Sequence, residues 1–320
     1  MNSELIDVEV VNKSSEAQGI VSFELAPTTG GLLPAFTPGA HIDLTLPNGL
    51  IRQYSLFEHS VSPTSYKIAV LREPESRGGS EYVHENLQVG STLQISAPRN
   101  HFELVTAKKY LLLAGGIGVT PIMCMAGKLA RENADFTLHY CCRSRERMAF
   151  EQRLSTSDFA ANVHLHIDEE STQPAFDAKA VFAEVNADTH LFVCGPKGFM
   201  DFVIGAAKAA GWQDSNIHFE YFSGVDMTPD DADSFQIKLA SCGRVLTVKD
   251  DQTVLQVLQD NGVEVPVSCE QGVCGTCVTR IIDGEPEHRD LFLTEAERAS
   301  NSVFTPCCSR AKSALLVLDL

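Results

Sequence analysis

The sequence predicts a multidomain protein with three parts in chain order: an antiparallel β-barrel, a doubly wound parallel α/β sheet and a small α+β domain. Three observations predict this order. Short β-rich segments dominate residues 1–105, strand-like and helix-length segments alternate through residues 106–222, and three closely spaced cysteines lie within residues 235–320. A chain of 320 residues is also long enough for two or three domains.

The first domain, residues 1–105, is predicted from segments that mostly alternate apolar and polar residues or are rich in β-forming residues. Turn sequences such as Pro38-Gly39 and Pro47-Asn48-Gly49 separate these segments. Short strands with turn signals at this spacing are typical of an antiparallel barrel. We expect strands at residues 8–11, 20–25, 41–46, 51–56, 66–70 and 92–95, and a short helix at 84–87.

The second domain, residues 106–222, alternates strands with helices, which implies a parallel sheet with ligands beyond the carboxyl ends of its strands. Its uncharged run at 110–127 is nearly long enough to span a bilayer, but three glycines and Pro121 interrupt it. A buried strand, a glycine turn and a helix start explain this run better. We expect strands at residues 111–114, 136–140, 163–167, 190–194 and 217–220.

Residues 223–234 are acidic and poor in apolar side chains, so we expect a linker there. The third domain, residues 235–320, begins with a hairpin-like pair of segments and an amphipathic helix that ends before Gly262. The expected elements are strands at 235–239 and 245–248, a helix at 253–261 and a closing strand at 314–318.

Three cysteines of the third domain, Cys269, Cys274 and Cys277, follow the pattern C-x4-C-x2-C. Gly272 and Gly275 between them allow the backbone to turn its N–H groups toward one centre. A fourth cysteine, thirty residues after the third, completes the spacing of a plant-type [2Fe–2S] site. A zinc knot is the alternative, but structural zinc sites usually pair two short Cys/His hairpins of similar spacing. A disulfide knot is less favoured still, because nothing marks the chain as secreted.

The composition excludes some classes of function. Acidic side chains outnumber basic ones 42 to 25, a formal net charge of -17, whereas nucleic-acid binding needs a concentrated positive face. The N-terminus has no basic segment followed by an apolar one, so we expect no signal peptide, no membrane association and a cytoplasmic protein. The cysteines outside the candidate cluster are expected to be reduced, small buried hydrophobes.

Two motifs of the first domain combine charge with flexibility. Arg52-Gln53-Tyr54-Ser55 places an arginine and an aromatic ring on one face of a strand and a hydroxyl on the other. Arg77-Gly78-Gly79-Ser80 offers a guanidinium, flexible amides and a hydroxyl, which suit a phosphate monoester. Taken alone, each motif is better explained as an ordinary edge strand or loop.

The second domain has two motifs at strand ends. A buried strand runs into Gly115-Gly116-Ile117-Gly118-Val119-Thr120-Pro121, with Pro121 suited to the first position of a helix. A glycine turn before a helix N-terminus binds pyrophosphate through backbone amides. Cys194-Gly195-Pro196 ends another strand before a helix, at the ligand edge of the sheet, although a lone cysteine there more often packs than reacts.

In this order, the motifs resemble those of the ferredoxin–NADP reductase superfamily. More narrowly, they resemble the phthalate dioxygenase reductase family, which includes vanillate demethylase and carnitine oxygenase reductases. The ordered set is R-x-Y-S, R-G-G-S, G-G-I-G-x-T-P, C-G-P, F-E-x-F, C-x4-C-x2-C and C-x-S-R, and it covers essentially the whole chain. The resemblance implies an FMN-binding barrel (1–105), an NAD-binding domain (106–222) and a [2Fe–2S] domain with the ferredoxin-like β-grasp fold (235–320).

The resemblance also implies roles for individual residues. The flavin would be held by Arg52, Tyr54 and Ser55, and its phosphate by Arg77, Gly79 and Ser80. The residues lining the nicotinamide dinucleotide would be Gly116, Gly118, Thr120 and Pro121, with Asp168 at the ribose. The catalytic residues around the flavin and nicotinamide would be Ser55, Cys194, Glu220 and Phe222. The cluster ligands would be Cys269, Cys274, Cys277 and Cys307, and not the neighbouring Cys308.

Two cofactor preferences follow. The Arg77-Gly78-Gly79-Ser80 motif suits a terminal phosphate and no adenine platform is evident near it, which favours FMN over FAD. A carboxylate at Asp168 would bond a ribose 2′-OH and repel a 2′-phosphate, which favours NADH over NADPH. The basic residues that could instead receive that phosphate are Arg143, Arg145 and Arg147.

Together these parts imply an NADH-dependent flavin and iron–sulfur oxidoreductase. Nicotinamide gives up two electrons at once, a [2Fe–2S] cluster accepts one at a time, and a flavin bridges the two. No motif offers an oxygen-activating site, so we expect the chain, as a monomer, to pass electrons transiently to a separate Rieske-type oxygenase. The alternatives are a stand-alone NADH:acceptor flavin reductase, which the intact cluster spacing disfavours, and a cluster-based redox sensor, which would not need a nicotinamide site.

Overall fold

The computed structural model describes residues 5–73, 78–170, 176–183, 188–222 and 234–320. The chain divides into two compact units, Met1–Phe222 and Ser223–Leu320. Of the predicted linker, only Ser234 is among the described residues. Within the described ranges, no helix has both the length and the apolar character needed to cross a membrane.

The first unit begins with an antiparallel barrel. Its elements are β1 (Ile6–Ala17), β2 (Ile20–Pro27), β3 (Ala40–Thr45), β4 (Ile51–Ser55), β5 (Tyr66–Leu71), α1 (Gly79–Asn86), β6 (Thr92–Ile95) and β7 (Arg99–Asn100). The strand order is β4-β3-β6-β1-β2-β5, with β7 beside β3, and every neighbouring pair is antiparallel. A bridge between Leu56, just after β4, and Ile68 on β5 joins the two ends of the sheet. The predicted antiparallel barrel is therefore confirmed.

Helix α1 starts five residues before the short helix predicted at 84–87. Gly78 precedes it with φ 80°, a left-handed conformation that glycine adopts without strain. The sequence hides this start, because a Gly-Gly pair usually indicates a turn. The helix therefore places its first residues, Gly79 and Ser80, beside the barrel.

A five-stranded parallel sheet follows. Its elements are β8 (Lys109–Gly115), α2 (Val119–Arg131), β9 (Asp135–Cys142), α3 (Glu151–Ser155), β10 (Val163–Ile167), α4 (Ala178–Val181), β11 (Thr189–Cys194), α5 (Lys197–Ala209) and β12 (Ile217–Glu220). The strand order is β10-β9-β8-β11-β12, and all pairs are parallel. Because β8 and β11 are neighbours, the winding reverses between them and a crevice opens beyond their carboxyl ends. This is the predicted doubly wound sheet.

The barrel and the parallel sheet share one hydrophobic core. Ile20, Phe57 and Phe102 of the barrel region belong to the same buried cluster as Val119 of α2 and Phe192 of β11. A separate buried cluster lies against α5, on the other face of the sheet. Because apolar burial is the main favourable term in folding, the shared core holds barrel and sheet together as one unit.

The second unit is a mixed sheet with two short helices. Its elements are β13 (Phe235–Leu239), β14 (Val245–Val248), α6 (Val254–Asp260), β15 (Thr279–Asp283), β16 (Pro286–Glu287), α7 (Glu295–Ser300), β17 (Val303–Phe304), β18 (Arg310–Ala311) and β19 (Leu315–Leu318). In the order β14-β13-β19-β15-β17, only β13 and β19 are parallel. Helix α6 starts with a capping box of Thr253 and Gln256 and buries Val257 against the sheet. The predicted α+β architecture is confirmed.

We predict that Gly39→Ala destabilises the first unit more than Gly19→Ala. Both glycines have positive φ, 95° and 72°, so both substitutions carry backbone strain of about 1 kcal/mol or more. Only at Gly39 would a Cβ also lie 1.9 Å from the backbone oxygen of Phe102, whereas nothing lies within 4 Å at Gly19. Denaturant unfolding followed by the fluorescence of Trp212, the chain's one tryptophan, measures both free energies of unfolding. Equal losses would contradict the prediction.

Candidate functional site

The crevice beyond β8 and β11 is formed by two glycine turns in close contact. A Cβ on Gly118 would lie 2.3 Å from the backbone oxygen of Cys194, so only glycine allows this approach. Gly116 has φ 53° and nothing within 4 Å of where its Cβ would be, so it faces open space. The turn therefore offers backbone N–H groups to a ligand at the start of α2, the arrangement that binds a pyrophosphate.

The residues that follow the turn hold it in shape. The Thr120 hydroxyl donates a hydrogen bond to the Ile117 oxygen at 3.1 Å. The expectation that Pro121 is the first helical residue is wrong, because α2 begins at Val119 and Pro121 is third. Proline is tolerated there because the first four N–H groups of a helix have no partner within it.

A buried group of polar side chains lies where the barrel meets the sheet. The Ser55 side chain hydrogen-bonds to Glu220, and Cys194 lies close enough to Glu220 for the two to repel when charged. Burial raises the pKa of Glu220 to about 8, and the Ser55 hydrogen bond only partly offsets this. Burial also holds the pKa of the Cys194 thiol well above its usual value, so the thiol stays neutral.

Sequence reasoning missed one member of this group, His41. It lies opposite Ser55 in the β3–β4 ladder, and its Nδ1 is 3.8 Å from Glu220 Oε1. Burial, then Arg99 and His101, lowers the pKa of His41 to about 4, so the ring is neutral. The signal was its pairing with Ser55, which becomes visible only once the strand register is known.

Two buried polar atoms at this junction have no hydrogen-bond partner among the described residues, His41 Nε2 and Glu220 Oε2. Buried polar atoms without partners are uncommon and usually mark a ligand or water position. A flavin ring, with its own donors and acceptors, would satisfy such atoms, so the residues present fit the predicted cofactor.

The residues of β4 that were predicted to bind the flavin reach the start of α1. The Arg52 side chain lies over Gly79, where a Cβ would be 2.3 Å from Arg52 Nε. Ser80 accepts a hydrogen bond from the Glu73 N–H through its hydroxyl at 3.1 Å. Arg52, Gly79 and Ser80 thus meet at a helix N-terminus, an arrangement suited to a phosphate. Arg77 lies outside the described residues.

Tyr54, between Arg52 and Ser55 on β4, is half-buried and packs against the barrel core. Burial raises its pKa, so the phenol stays protonated. Phe222, the last residue of the first unit, is 36% exposed and stands two positions beyond Glu220. An aromatic ring thus follows β12 with room to contact a ligand.

Asp168 stands apart from this group. It is exposed directly after β10, the outer strand of the sheet, and two strands away from β8. Of the basic residues near it, Arg145 is held by Glu170 at 2.8 and 3.0 Å and also pairs with Glu151. Arg143 and Arg147 are exposed.

The candidate cluster ligands lie in the second unit and are all buried. The Cys269 thiol hydrogen-bonds to that of Cys274, and the Cys277 thiol to that of Cys307. Within the described residues, no three His, Cys, Asp or Glu side chains gather around a single metal position. Two pairs of thiols suit a centre with two irons held by four cysteines.

The backbone around these thiols supports the same reading. The Gln271 N–H donates to Cys269 Sγ at 3.4 Å, and the Thr276 N–H donates to Cys274 Sγ at 3.5 Å. Such bonds stabilise thiolate charge in iron–sulfur sites. The residues present therefore fit a [2Fe–2S] cluster.

Cys308 lies beside these thiols, and its side chain hydrogen-bonds to that of Cys307. The Cys308 sulfur lies 3.2 Å from the Thr305 hydroxyl, and a Cβ on Gly272 would lie 2.4 Å from it. The sulfur therefore packs beneath the loop of residues 269–277, which we call the cluster loop.

Comparison with known proteins decides the family. A 2Fe-2S iron-sulfur cluster binding domain matches residues 237–312, and an oxidoreductase NAD-binding domain matches residues 112–204. The vanillate O-demethylase oxidoreductase of Pseudomonas sp. (strain HR199 / DSM 7063) is 53% identical over 317 residues, 99% of this chain and 100% of that protein. A solved phthalate dioxygenase reductase, described as a modular structure for electron transfer from pyridine nucleotides to [2Fe-2S], superimposes with a TM-score of 0.78 at 36% identity, over 99% of this chain and 98% of that one.

The chain belongs to the phthalate dioxygenase reductase family. A similar fold also occurs within an intact type IV self-sufficient cytochrome P450 monooxygenase, with a TM-score of 0.85 and 37% identity over 99% of this chain and 41% of that one. Family membership confirms the predicted resemblance, the fold class and the three cofactors: NADH, FMN and a [2Fe–2S] cluster. As a member of this family, the chain is an oxidoreductase that carries electrons from NADH through the flavin to the cluster.

We predict that Glu220→Gln makes the apoprotein's first unit more stable relative to wild type as pH rises. A folded-state pKa of about 8, above the usual 4.5, means that folding favours the protonated carboxyl. That stabilisation is complete below pH 4.5 and is lost between pH 4.5 and pH 8, at about 1.4 kcal/mol per pH unit. Glutamine cannot ionise, so the variant lacks this loss. Unfolding at pH 5 and pH 8, followed by Trp212 fluorescence, tests it.

The exposed Glu103→Gln is the matched control, since it removes a carboxyl without a buried site. Its stability should follow wild type across this pH range. Parallel pH profiles for Glu220→Gln and wild type would refute the prediction.

We also predict that Cys307→Ser loses the cluster whereas Cys308→Ser keeps it. The two thiols hydrogen-bond to each other, but Cys307 is the one that also hydrogen-bonds to Cys277, while Cys308 bonds the Thr305 hydroxyl. Iron and acid-labile sulfide per chain, with the visible spectrum, measure the outcome. Cys242 lies in the same unit and is exposed, so the expectation of a buried side chain is wrong for this cysteine. Cys242→Ser is therefore the control and should be unchanged. A full cluster in Cys307→Ser would overturn the ligand assignment.

Proposed function

We propose that this chain is the reductase component of a two-component Rieske non-haem iron oxygenase. In this proposal, it acts as a monomer and gives electrons, one at a time, to a separate oxygenase that hydroxylates or demethylates a small organic substrate. The observation that carries the proposal is full-length similarity to a vanillate O-demethylase oxidoreductase. An oxygenase that removes a methyl group from an aromatic ether is therefore the first partner to test.

On the input side, the crevice would hold the nicotinamide dinucleotide. Gly116 and Gly118 expose backbone N–H groups to its pyrophosphate, and Thr120 and Pro121 continue the wall into α2. Asp168, at the end of the outer strand, would bond the ribose 2′-OH and favour NADH. Engagement of Arg145 by two carboxylates leaves it less available to a 2′-phosphate.

The flavin would lie between the barrel and this crevice. Bound FMN supplies the conversion of a two-electron donation into one-electron steps. Arg52, Gly79 and Ser80 would hold its phosphate, and Tyr54 and Phe222 would contact its ring. We assign Arg77 to the phosphate as well on the sequence motif alone.

Around the reacting atoms, Cys194 would exclude water, Ser55 would orient a carboxyl, and Glu220 would hold a proton. The Cys194 thiol, neutral and wholly buried, would face the nicotinamide and exclude water. Ser55 orients the Glu220 carboxyl through their hydrogen bond. With a pKa of about 8, Glu220 holds its proton at neutral pH and can donate it where charge develops during electron transfer.

On the output side, Cys269, Cys274, Cys277 and Cys307 would hold the cluster that delivers the electron. Electron-transfer encounters use small interfaces, so docking is expected to be weak and transient. Because this chain has a formal net charge of -17, its complex with an oxygenase that presents a basic face should weaken at high salt.

Reconstitution tests the proposal. Purified reductase and an O-demethylating Rieske oxygenase should couple NADH consumption to product formation only when both are present. Cys307→Ser should abolish the coupling while NADH-driven reduction of the flavin persists, and Cys242→Ser should leave coupling unchanged. Oxygenation supported by a chain truncated before Phe235 would show that the cluster is not the exit. Support of a cytochrome P450 but no Rieske oxygenase would favour a haem acceptor instead.

A further inference from the structure

A buried carboxylate of the second unit and its two neighbours lie outside every role assigned so far. The group consists of Asp290, His288 and the partly exposed Arg298, and we call it the triad. The Asp290 side chain is 0% exposed, with His288 Nδ1 3.6 Å from Oδ1 and Arg298 Nη2 3.6 Å from Oδ2. Removing a carboxylate from water is costly unless other groups compensate it, so such a group rarely persists without a role.

The surroundings of Asp290 are those of a charged carboxylate. Its Oδ2 accepts hydrogen bonds from the Phe292 N–H at 3.1 Å and the Leu293 N–H at 2.7 Å. Arg298 also donates to the Asp290 backbone oxygen at 2.6 Å. Oδ1 has no hydrogen-bond partner among the described residues, and neither ring nitrogen of His288 has one.

The triad is attached directly to the cluster loop. The Leu291 N–H donates to the Gly272 oxygen at 2.9 Å. Gly272 has φ 71°, and its Cβ would lie 3.0 Å from Asp290 Cα. One turn further, a Cβ on Gly275 would lie 2.2 Å from the Phe292 ring. Both glycines of the cluster loop are therefore pressed against residues 290–292.

The same segment also reaches the chain that carries the fourth thiol. Strand β16 pairs with β18, three residues after Cys307, and the Arg289 N–H donates to the Ser309 hydroxyl at 3.2 Å. A Cβ on Gly272 would lie 2.4 Å from Cys308 Sγ and 3.0 Å from Asp290 Cα, so both residues lie against the same glycine. Residues 286–293 thus join the two parts of the chain that supply the cluster ligands, with Asp290 at the junction.

We propose that Asp290 and Arg298 are positioning residues that set the reduction potential of the cluster, with the Asp290 carboxylate lowering it and the Arg298 guanidinium raising it. Reduction adds one negative charge to the cluster. A carboxylate held at short range in a poorly solvated region opposes that charge, and a guanidinium beside the carboxylate offsets the opposition. The other ionisable side chains nearby are His288 and the Arg289–Glu287 pair. The pair is bidentate at 3.0 and 3.1 Å and so contributes little net charge.

The inference rests on cluster binding and holds whichever protein accepts the electron. It is therefore tested on the full-length holoprotein with no oxygenase present, by redox titration of the cluster followed by electron paramagnetic resonance. A change in potential cannot be confused with failure to find a partner. Occupancy is read separately from iron and sulfide content.

Opposite shifts are expected for two substitutions. Asp290→Asn keeps an oxygen for the Phe292 and Leu293 N–H groups but loses the charge, so the potential should rise. Arg298→Gln leaves the carboxylate uncompensated, so the potential should fall. We expect each to change the cluster's reduction equilibrium by about tenfold, which is about 59 mV for one electron. Asp283→Asn, which removes an exposed charge from β15, is the control and should shift little.

A purely structural role would move both variants in the same direction or reduce occupancy in both, and either result overturns the proposal. Shifts no larger than that of Asp283→Asn overturn it too.

If Asp290→Asn does not retain its cluster, the electrostatic role is tested by comparing Arg298→Lys with Arg298→Gln. The lysine variant keeps the charge and should have the wild-type potential, while the glutamine variant should have a lower one. Equal potentials for these two would exclude an electrostatic role for Arg298.

Discussion

The contact between the glycine turns after β8 and β11 is the constraint on which the first unit depends. The space where Gly118 would carry a side chain is filled by the backbone of Cys194 and Gly195, at 2.3 and 2.6 Å. This contact fixes the N-terminus of α2 against the end of β11. Because β12 lies beside β11 with Glu220 opposite Cys194, the position of the buried carboxyl follows from it as well. A backbone approach thus determines where the thiol and the acid meet the barrel.

Two buried carboxyls show how environment decides the role of a side chain. Glu220 hydrogen-bonds to the Ser55 side chain and lies near a neutral histidine, and burial keeps the carboxyl protonated. Asp290 has two backbone N–H donors and a guanidinium. The first arrangement suits a group that gives and receives a proton, and the second suits a fixed charge. Burial alone would not have distinguished them.

The parts that could be predicted from sequence are those whose signal is local. The spacing of Cys269, Cys274 and Cys277 lies within nine residues, and the change from β-rich segments to strand–helix alternation is visible in short windows. His41 and Asp290 could not be identified this way. His41 acquires its meaning from Ser55 across a strand pair, and Asp290 from Gly272 across a loop contact, so both depend on register and tertiary packing. The position of Pro121 failed for a smaller reason: a glycine turn can pass into a helix two residues before the proline.

The shared core of barrel and sheet has a consequence for how this chain can be divided. Ile20, Phe57 and Phe102 lose their partners if the sheet is removed, so a fragment ending near residue 105 would expose them to water. The second unit instead closes its own core, with Ile237 and Leu316 packed on Val257 of α6. An exchange of the second unit would therefore remove no residue from the core of the first. An exchange of the barrel alone would instead require a new barrel whose apolar residues fit the same parallel sheet.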